Sequence, residues 1–334
     1  MTLSEYAVDA PRRASADEMP ILDLGPWLDG APIAPVVEQF QAACTNTGFF
    51  YVKNHGVSQP VIDAVFDATR RYMSLPMEER MKDQFDERFR RGFMPMGITQ
   101  HPGHKPDLKE SYELGMDLPL TDPDVANGLP LHGPNRWPAD KPWLEPAAMA
   151  YFHATLELGR NLLKIFACAV GKEESFFLQY AKKPMVQARL FHYPPQASFT
   201  NLELGAAAHT DYGMFTMLAQ DPIGGLELRT RSGEWVAAPY VDGTLVVNLG
   251  DLVKIWTNDV YVSNAHRVAN RTGKERYSIP TFFNLDFETP VACLPEFLPS
   301  VGEPLHAPIK SGDYLVRRFA SVQKYKTPAE LAVQ

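Results

Sequence analysis

From "VQARLFHYP" onward the chain is cut into short pieces by turn signals: "IGG", "RSGEW", "VDGT", "NLGD" and "RTGKE". Strands fit between such signals and ordinary helices do not. The spacing therefore predicts a β-sandwich or barrel-like core rather than a parallel α/β sheet. The first half has a different texture. Val36, Val37, Phe40 and Cys44 recur at helical spacing within Pro35 to Thr47. Gln59 to Met73 reads as an amphipathic helix, and "SLPMEERMK" opens another. The longest helical pattern runs from Trp143 to Val170. Between these lie strand patterns at "ILDLG", "GFFYVKNHGV" and "KESYELG". The Gly- and Pro-rich remainder of 92–142 reads as long loops. The expected architecture is mainly β with flanking helices.

Neither an internal repeat nor a low-complexity linker divides the 334 residues. Residues 1–19 read as a loose polar arm, 20–183 as a helical region packed on the core, and 184–290 as the β core. A C-terminal segment follows at 291–334, with 20–320 expected to fold as one unit. Net charge is −8 and no Lys/Arg run forms a basic footprint, so nucleic acid is not an expected partner. Cys44, Cys168 and Cys293 are far apart, which fits a reducing, cytoplasmic setting. The first twenty residues lack an apolar h-region and no apolar run reaches membrane length, so neither secretion nor membrane spanning is expected.

Within the β half, "GAAAHTDYGMFTML" puts His209 and Asp211 two apart. On a strand they would share a face, about 7 Å apart along it, which suits two ligands of one metal ion or a polar pair at a sheet edge. His266 follows in "SNAHRV". Two histidines and a carboxylate can form the facial triad of non-heme Fe(II) oxygenases, which leaves coordination positions open. Zinc hydrolases use the same ligand types, so the triad alone leaves the metal open. Arg276 and Ser278 share a face of the next strand, "RYSIPTFFN". A guanidinium fork with a hydroxyl beside it suits the distal carboxylate of a dicarboxylic acid. Tyr193, in "RLFHYPP", can add a phenolic donor. "GGLE" and "NLGD" read as turn glycines with no helix start after them.

These pieces stand in one order: "ILDLG", "TGFFYVKNHGV", "KPDLKESYELG", "RLFHYPP", "HTDYGMFTML", "GGLELRTRSGEWVAAPYVDGTLVVNLGDLVKIWTND", "SNAHRV" and "RYSIPTFFN". Over residues 20–320 the chain resembles the isopenicillin N synthase-like family of 2-oxoglutarate- and Fe(II)-dependent dioxygenases. The resemblance implies a double-stranded β-helix, or jelly roll, with the metal at its mouth. It implies His209, Asp211 and His266 as iron ligands, with Arg276, Ser278 and Tyr193 on 2-oxoglutarate. It also implies O2 as co-substrate and a small organic molecule hydroxylated or desaturated with release of succinate and CO2. Two departures stand out. Phe191 replaces an asparagine of many plant members, and "TND" replaces their "SNG".

For the substrate the expected contacts are Phe282 and Asn284, which continue the Arg276–Ser278 face unless Pro280 introduces a bulge, with Tyr112, Tyr212 and the 92–110 loop as roof. They suggest a small, partly apolar substrate with a hydrogen-bonding group. Glu110, Arg90 and Arg91 are weaker candidates, more simply read as exposed charges. His55, His101, His104, His132, His153, His192 and His306 read as structural, and Asp251 as a structural acceptor. Two other functions are compatible with these residues: a 2-oxoglutarate-independent oxidase of the same fold, and a catalytically silent small-molecule sensor. The substrate and the oligomeric state are not legible.

Overall fold

The structure is a computed structural model that describes residues 10–101, 103–196 and 203–322. The first half contributes strands β1 (Ile21–Asp23), β2 (Phe49–Lys53), β3 (Gly92–Met94) and β4 (Glu110–Gly115). The second half contributes β5 (Gln187–Tyr193), β6 (Ala206–His209), β7 (Phe215–Gln220) and β8 (Leu226–Arg229). β9 (Trp235–Ala237), β10 (Thr244–Leu249), β11 (His266–Val268) and β12 (Arg276–Phe283) follow. An eight-stranded sheet has the order β1-β2-β10-β7-β12-β5-β4-β3, and a four-stranded sheet the order β6-β11-β8-β9. All of their pairings are antiparallel except β1 with β2. This is the jelly roll with helices outside it.

The large sheet is buried on both faces, and its side chains sort by parity. Phe50, Leu190, Met217, Val247, Ile279 and Phe283 join the helices in one apolar cluster. Phe49, Phe191, Tyr193, Leu218 and Val246 face the small sheet in another, with Leu226, Leu228, Val236 and Val268 from that sheet. Alternation along each strand produces this sorting, and a one-residue slip would invert it. Each buried aromatic or aliphatic side chain contributes roughly 1.5–3 kcal/mol relative to exposure.

Helices Ala34–Asn46, Gln59–Met73 and Leu144–Ala169 back the large sheet. The first two open with a proline in the first turn, where its missing N–H has no intrahelical partner to lose. Phe166 of the long helix meets Phe215 of β7 edge-on, ring centroids 6.2 Å apart, and lies parallel to Trp256 at 6.0 Å.

The N-terminal arm departs from expectation over its described part. Arg13 bridges to Ala237 of β9, and Met19 is buried. Arg12 forks between Glu18 at 2.7 Å and Glu234 at 2.9 Å, which ties the arm to the small sheet. Residues 1–9 lie outside the described part.

Candidate active site

His209 is the last residue of β6 and pairs directly with His266 at the start of β11. Their rings are tilted, with centroids 4.3 Å apart. Asp211 is not on the strand face expected for it. It lies beyond the end of β6, where the chain turns inward, and its Oδ1 stands 3.8 Å from the Nε2 atoms of both histidines. The three ligand atoms lie within 4.8 Å of one another.

Each side chain is held by its other end. His209 Nδ1 lies 2.7 Å from the Ala207 carbonyl and His266 Nδ1 3.3 Å from that of Asn264, which leaves both Nε2 atoms facing Asp211. Asp211 Oδ2 accepts from the Thr216 hydroxyl at 2.5 Å and from Asn248 Nδ2 at 2.7 Å. Burial, and then the neighbouring His266, His101 and Lys109, hold His209 well below the usual imidazole range, so it is a neutral donor.

The turn after Asp211 is fixed by a feature that sequence reading missed. "NLGD" does open a helix, the short Asp251–Trp256. Its first amides bond back: Asp251 N to the Asp211 carbonyl at 2.8 Å and Leu252 N to that of Gly213 at 3.1 Å. A Cβ on Gly250 would sit 2.2 Å from the Gly213 carbonyl oxygen, so the approach requires glycine. Asp251 itself is a structural acceptor as expected, bonded by Ser263 at 2.8 Å and Tyr314 at 2.7 Å.

Across the cavity, β12 carries Arg276 and Ser278 on its inner face. The register of β12 against β7 runs without a shift from Ser278 to Phe283, so Pro280 introduces no bulge. Arg276 is fully buried. Its Nε donates to the Gly224 carbonyl and its Nη1 to Ser278 Oγ at 3.1 Å, while its guanidinium lies 4.6 Å from the Tyr193 ring centroid. Nη2 is buried with no hydrogen-bond partner among the described residues.

One cavity joins these groups, about 1000 Å³ with its open mouth included. His209, Asp211, His266, Arg276, Ser278 and Tyr193 line it, as do Phe282, Asn284 and Tyr212. Asn284 spends its Nδ2 on the Met185 carbonyl at 2.7 Å and keeps Oδ1 unpartnered.

Other expectations are corrected. Tyr112 pairs with Leu190, a residue on the helix side of β5, and so sits in the outer core between Tyr72 and Trp137, away from the cavity. Glu110, Arg90 and Arg91 are buried, not exposed. Glu110 bonds Arg80 and, at 2.8 Å, His192 Nδ1, which gives His192 its expected structural role. His101 is a wall of the cavity, stacked on His209 with centroids 5.0 Å apart. Thr99 and Lys109 join it from the loop expected as roof.

Sequence reading also missed Gln187 and Arg189 of β5, and Leu315, Phe319 and Val322 of the C-terminal helix Ser311–Val322. Strand parity with Tyr193 was a usable signal for the first two. For the helix no local signal existed, because only the tertiary fold lays it over the mouth.

Fold and site together define a jelly-roll oxygenase of the non-heme, metal-dependent class. Residues 19–140 match the family described as non-haem dioxygenase in morphine synthesis N-terminal, and residues 173–285 match the 2OG-Fe(II) oxygenase superfamily. The 2-oxoglutarate-Fe(II) type oxidoreductase hxnY of Emericella nidulans is 37% identical over 316 residues, 92% of this chain and 90% of that one. The homoarginine-6-hydroxylase 2-ODD-C23 of Glycine max is 35% identical, covering 82% of this chain and 87% of that one. Among solved structures, a full-length Neurospora crassa protein in complex with alpha-KG superposes with a TM-score of 0.81 at 27% identity, covering 92% of this chain and 98% of that one. The chain belongs to the 2OG-Fe(II) oxygenase family and is a 2-oxoglutarate-dependent dioxygenase acting on a small metabolite with Fe(II) and O2. Among the described residues no helix is long and apolar enough to cross a membrane.

Proposed function

We propose that His209, Asp211 and His266 hold Fe(II), and that Arg276, with Ser278 and Tyr193, holds the distal carboxylate of 2-oxoglutarate. The observation that carries this reading is the unpartnered Nη2 of the fully buried Arg276, which lines the same cavity as the two histidines and the aspartate. A buried guanidinium is costly without an anion, and a carboxylate matches its fork. The donor set fits the metal as well: two imidazoles and one carboxylate converge within 4.8 Å of one another, a set that suits a metal with coordination positions left open.

Fe(II) in that position supplies activation of O2 coupled to decarboxylation of 2-oxoglutarate to succinate and CO2. The chain's own groups do the rest. The Ala207 and Asn264 carbonyls orient the imidazoles, and Thr216 and Asn248 hold Asp211 so that Oδ1 stays directed at them. Ser278 orients Arg276. Leu315, Phe319 and Val322 restrict water at the mouth. Phe282, Asn284 and Tyr212 contact the substrate. The similar Neurospora crassa protein has also been solved in complex with alpha-KG and thymine, a small planar molecule. That supports a substrate of similar size here.

The test is Fe(II) titration of His266→Ala. We expect stoichiometric binding in the wild type, at least tenfold weaker binding in the variant, and an unchanged circular dichroism spectrum. Wild-type iron affinity in the variant would show the ligand assignment to be wrong.

A further inference from the structure

The cavity contains a second guanidinium. On β5, Gln187, Arg189, Phe191 and Tyr193 all face inward. Tyr193 pairs with Arg276 and Gln187 with Phe282, so Arg189 stands four residues from the partner of Arg276, about 13 Å along the strand. The two heads point apart. That of Arg276 is bonded to Gly224 and lies over Tyr193, whereas that of Arg189 lies 4.9 Å from the Phe282 centroid and 5.8 Å from that of Phe319. One carboxylate cannot serve both.

Arg189 is also incompletely satisfied. Its Nη2 donates to Gln187 Oε1 at 3.3 Å. Its nearest carboxylate is Glu113, 3.3 Å from Nε, yet Nε makes no hydrogen bond. Glu113 also lies in the field of Arg91, whose guanidinium is fully buried. Gln187 is 4% exposed, and Arg189 fixes its amide with the oxygen toward the guanidinium. Gln187 Nε2 is left buried, unpartnered and on the cavity wall. Two donors thus converge beside a mostly buried guanidinium whose one carboxylate also lies in the field of the fully buried Arg91, and incompletely compensated buried charge is costly. Around them the wall is apolar: Phe282, Phe319 and Leu315.

We infer that the substrate oxidised here is a small monocarboxylic acid with an apolar body, its carboxylate held by Arg189 and Gln187 Nε2 and its body packed on Phe282 and Phe319. The inference rests on the assignment of Arg276 to 2-oxoglutarate, which frees Arg189 for the substrate. Arg189 is then the residue that selects acids over neutral molecules of the same shape.

The experiment is anaerobic calorimetry on the full chain loaded with Fe(II) and saturating 2-oxoglutarate. The probes are matched pairs: benzoate and benzamide, phenylacetate and phenylacetamide, hexanoate and hexanamide. At least one acid should bind about tenfold or more tightly than its amide, as expected for a charge-assisted bidentate contact. That preference should fall to about twofold or less in Arg189→Leu and weaken in Gln187→Leu. Arg189→Lys keeps the charge without the fork and should lie between, so it reads the same contact if the leucine variant does not fold. Amides binding as well as acids, an acid preference that survives in Arg189→Leu, or no acid binding at all would each overturn the inference. Titrating 2-oxoglutarate alone into the Fe(II) protein and into Arg276→Lys tests the earlier reading separately. A failure there would show as unaltered 2-oxoglutarate affinity in Arg276→Lys, whatever the acid–amide preference.

Discussion

Replacing Arg276 by lysine preserves the charge and removes the shape. The native head makes two directed contacts, Nε to Gly224 and Nη1 to Ser278, and leaves Nη2 unpartnered on a side chain that lines the cavity. A lysine ammonium on a flexible stem cannot hold a carboxylate bidentately and keep both protein contacts. Loss of one charge-assisted hydrogen bond costs about 1.5–3 kcal/mol, or roughly ten- to 150-fold in binding. The KM for 2-oxoglutarate should rise by that factor, and kcat should fall less if the co-substrate, once bound, still reaches the metal. Ser278→Ala removes a neutral partner and should cost about 0.5–1.5 kcal/mol, a few-fold in KM. The assay is initial succinate formation against 2-oxoglutarate concentration, with calorimetric 2-oxoglutarate affinity measured beside it. The variant also leaves the Gly224 carbonyl without its donor, so a thermal melt is needed to show that the protein is folded at the assay temperature. An unchanged KM in a folded Arg276→Lys protein would refute the assignment.

The C-terminal helix should loosen in Asp251→Ala. That change leaves the Tyr314 and Ser263 hydroxyls without their acceptor, at about 1–3 kcal/mol, and hydrogen exchange over 311–322 should speed up; unaltered protection would mean that apolar packing alone holds the helix. The arm should respond to acid. The hydrogen bond from Arg12 lowers Glu18 from its ordinary 4.5 to about 2, so its stabilisation is present above pH 4.5 and lost as pH falls toward 2. Arg12→Ala should flatten that limb of a stability-versus-pH curve, and an identical acid limb in the variant would remove the arm from the account.

What was legible in the sequence and what was not divides along one physical line. The proposed metal and co-substrate groups sit on or beside β6 and β11 of the small sheet and β12 of the large one, where parity and spacing fix which side chains share a face. His209, His266, Arg276 and Ser278 were readable for that reason, and so were the helix boundaries, which proline and apolar periodicity mark locally. Asp211 does lie beside the two histidines, but not by the strand geometry expected for it. A continuous strand would have carried it about 7 Å along from His209, and it is the turn anchored on Asp251 that brings its Oδ1 to 3.8 Å from both imidazoles.

Tyr112 shows where parity fails. Within "KESYELG" alternation gives two faces but not which is inner. That depends on the register with β5, where Tyr112 meets Leu190 and Glu113 meets Arg189. The same register decides the substrate side. Once Tyr193 is placed inward, Arg189 and Gln187 follow from the period of two, and the cavity acquires a cation that Phe282 and Asn284 alone do not suggest. Phe319 is different in kind. Its helix has polar and apolar faces that fit many docking positions, and its place over the cavity is set by Tyr314 on Asp251 and by the Arg90 guanidinium 4.0 Å from its ring centroid. The groups proposed for the co-substrate therefore lie in strand-local geometry, which the sequence displays. Those proposed for the substrate lie where β5, the 92–110 loop and a distant helix meet, and only the assembled chain brings them together.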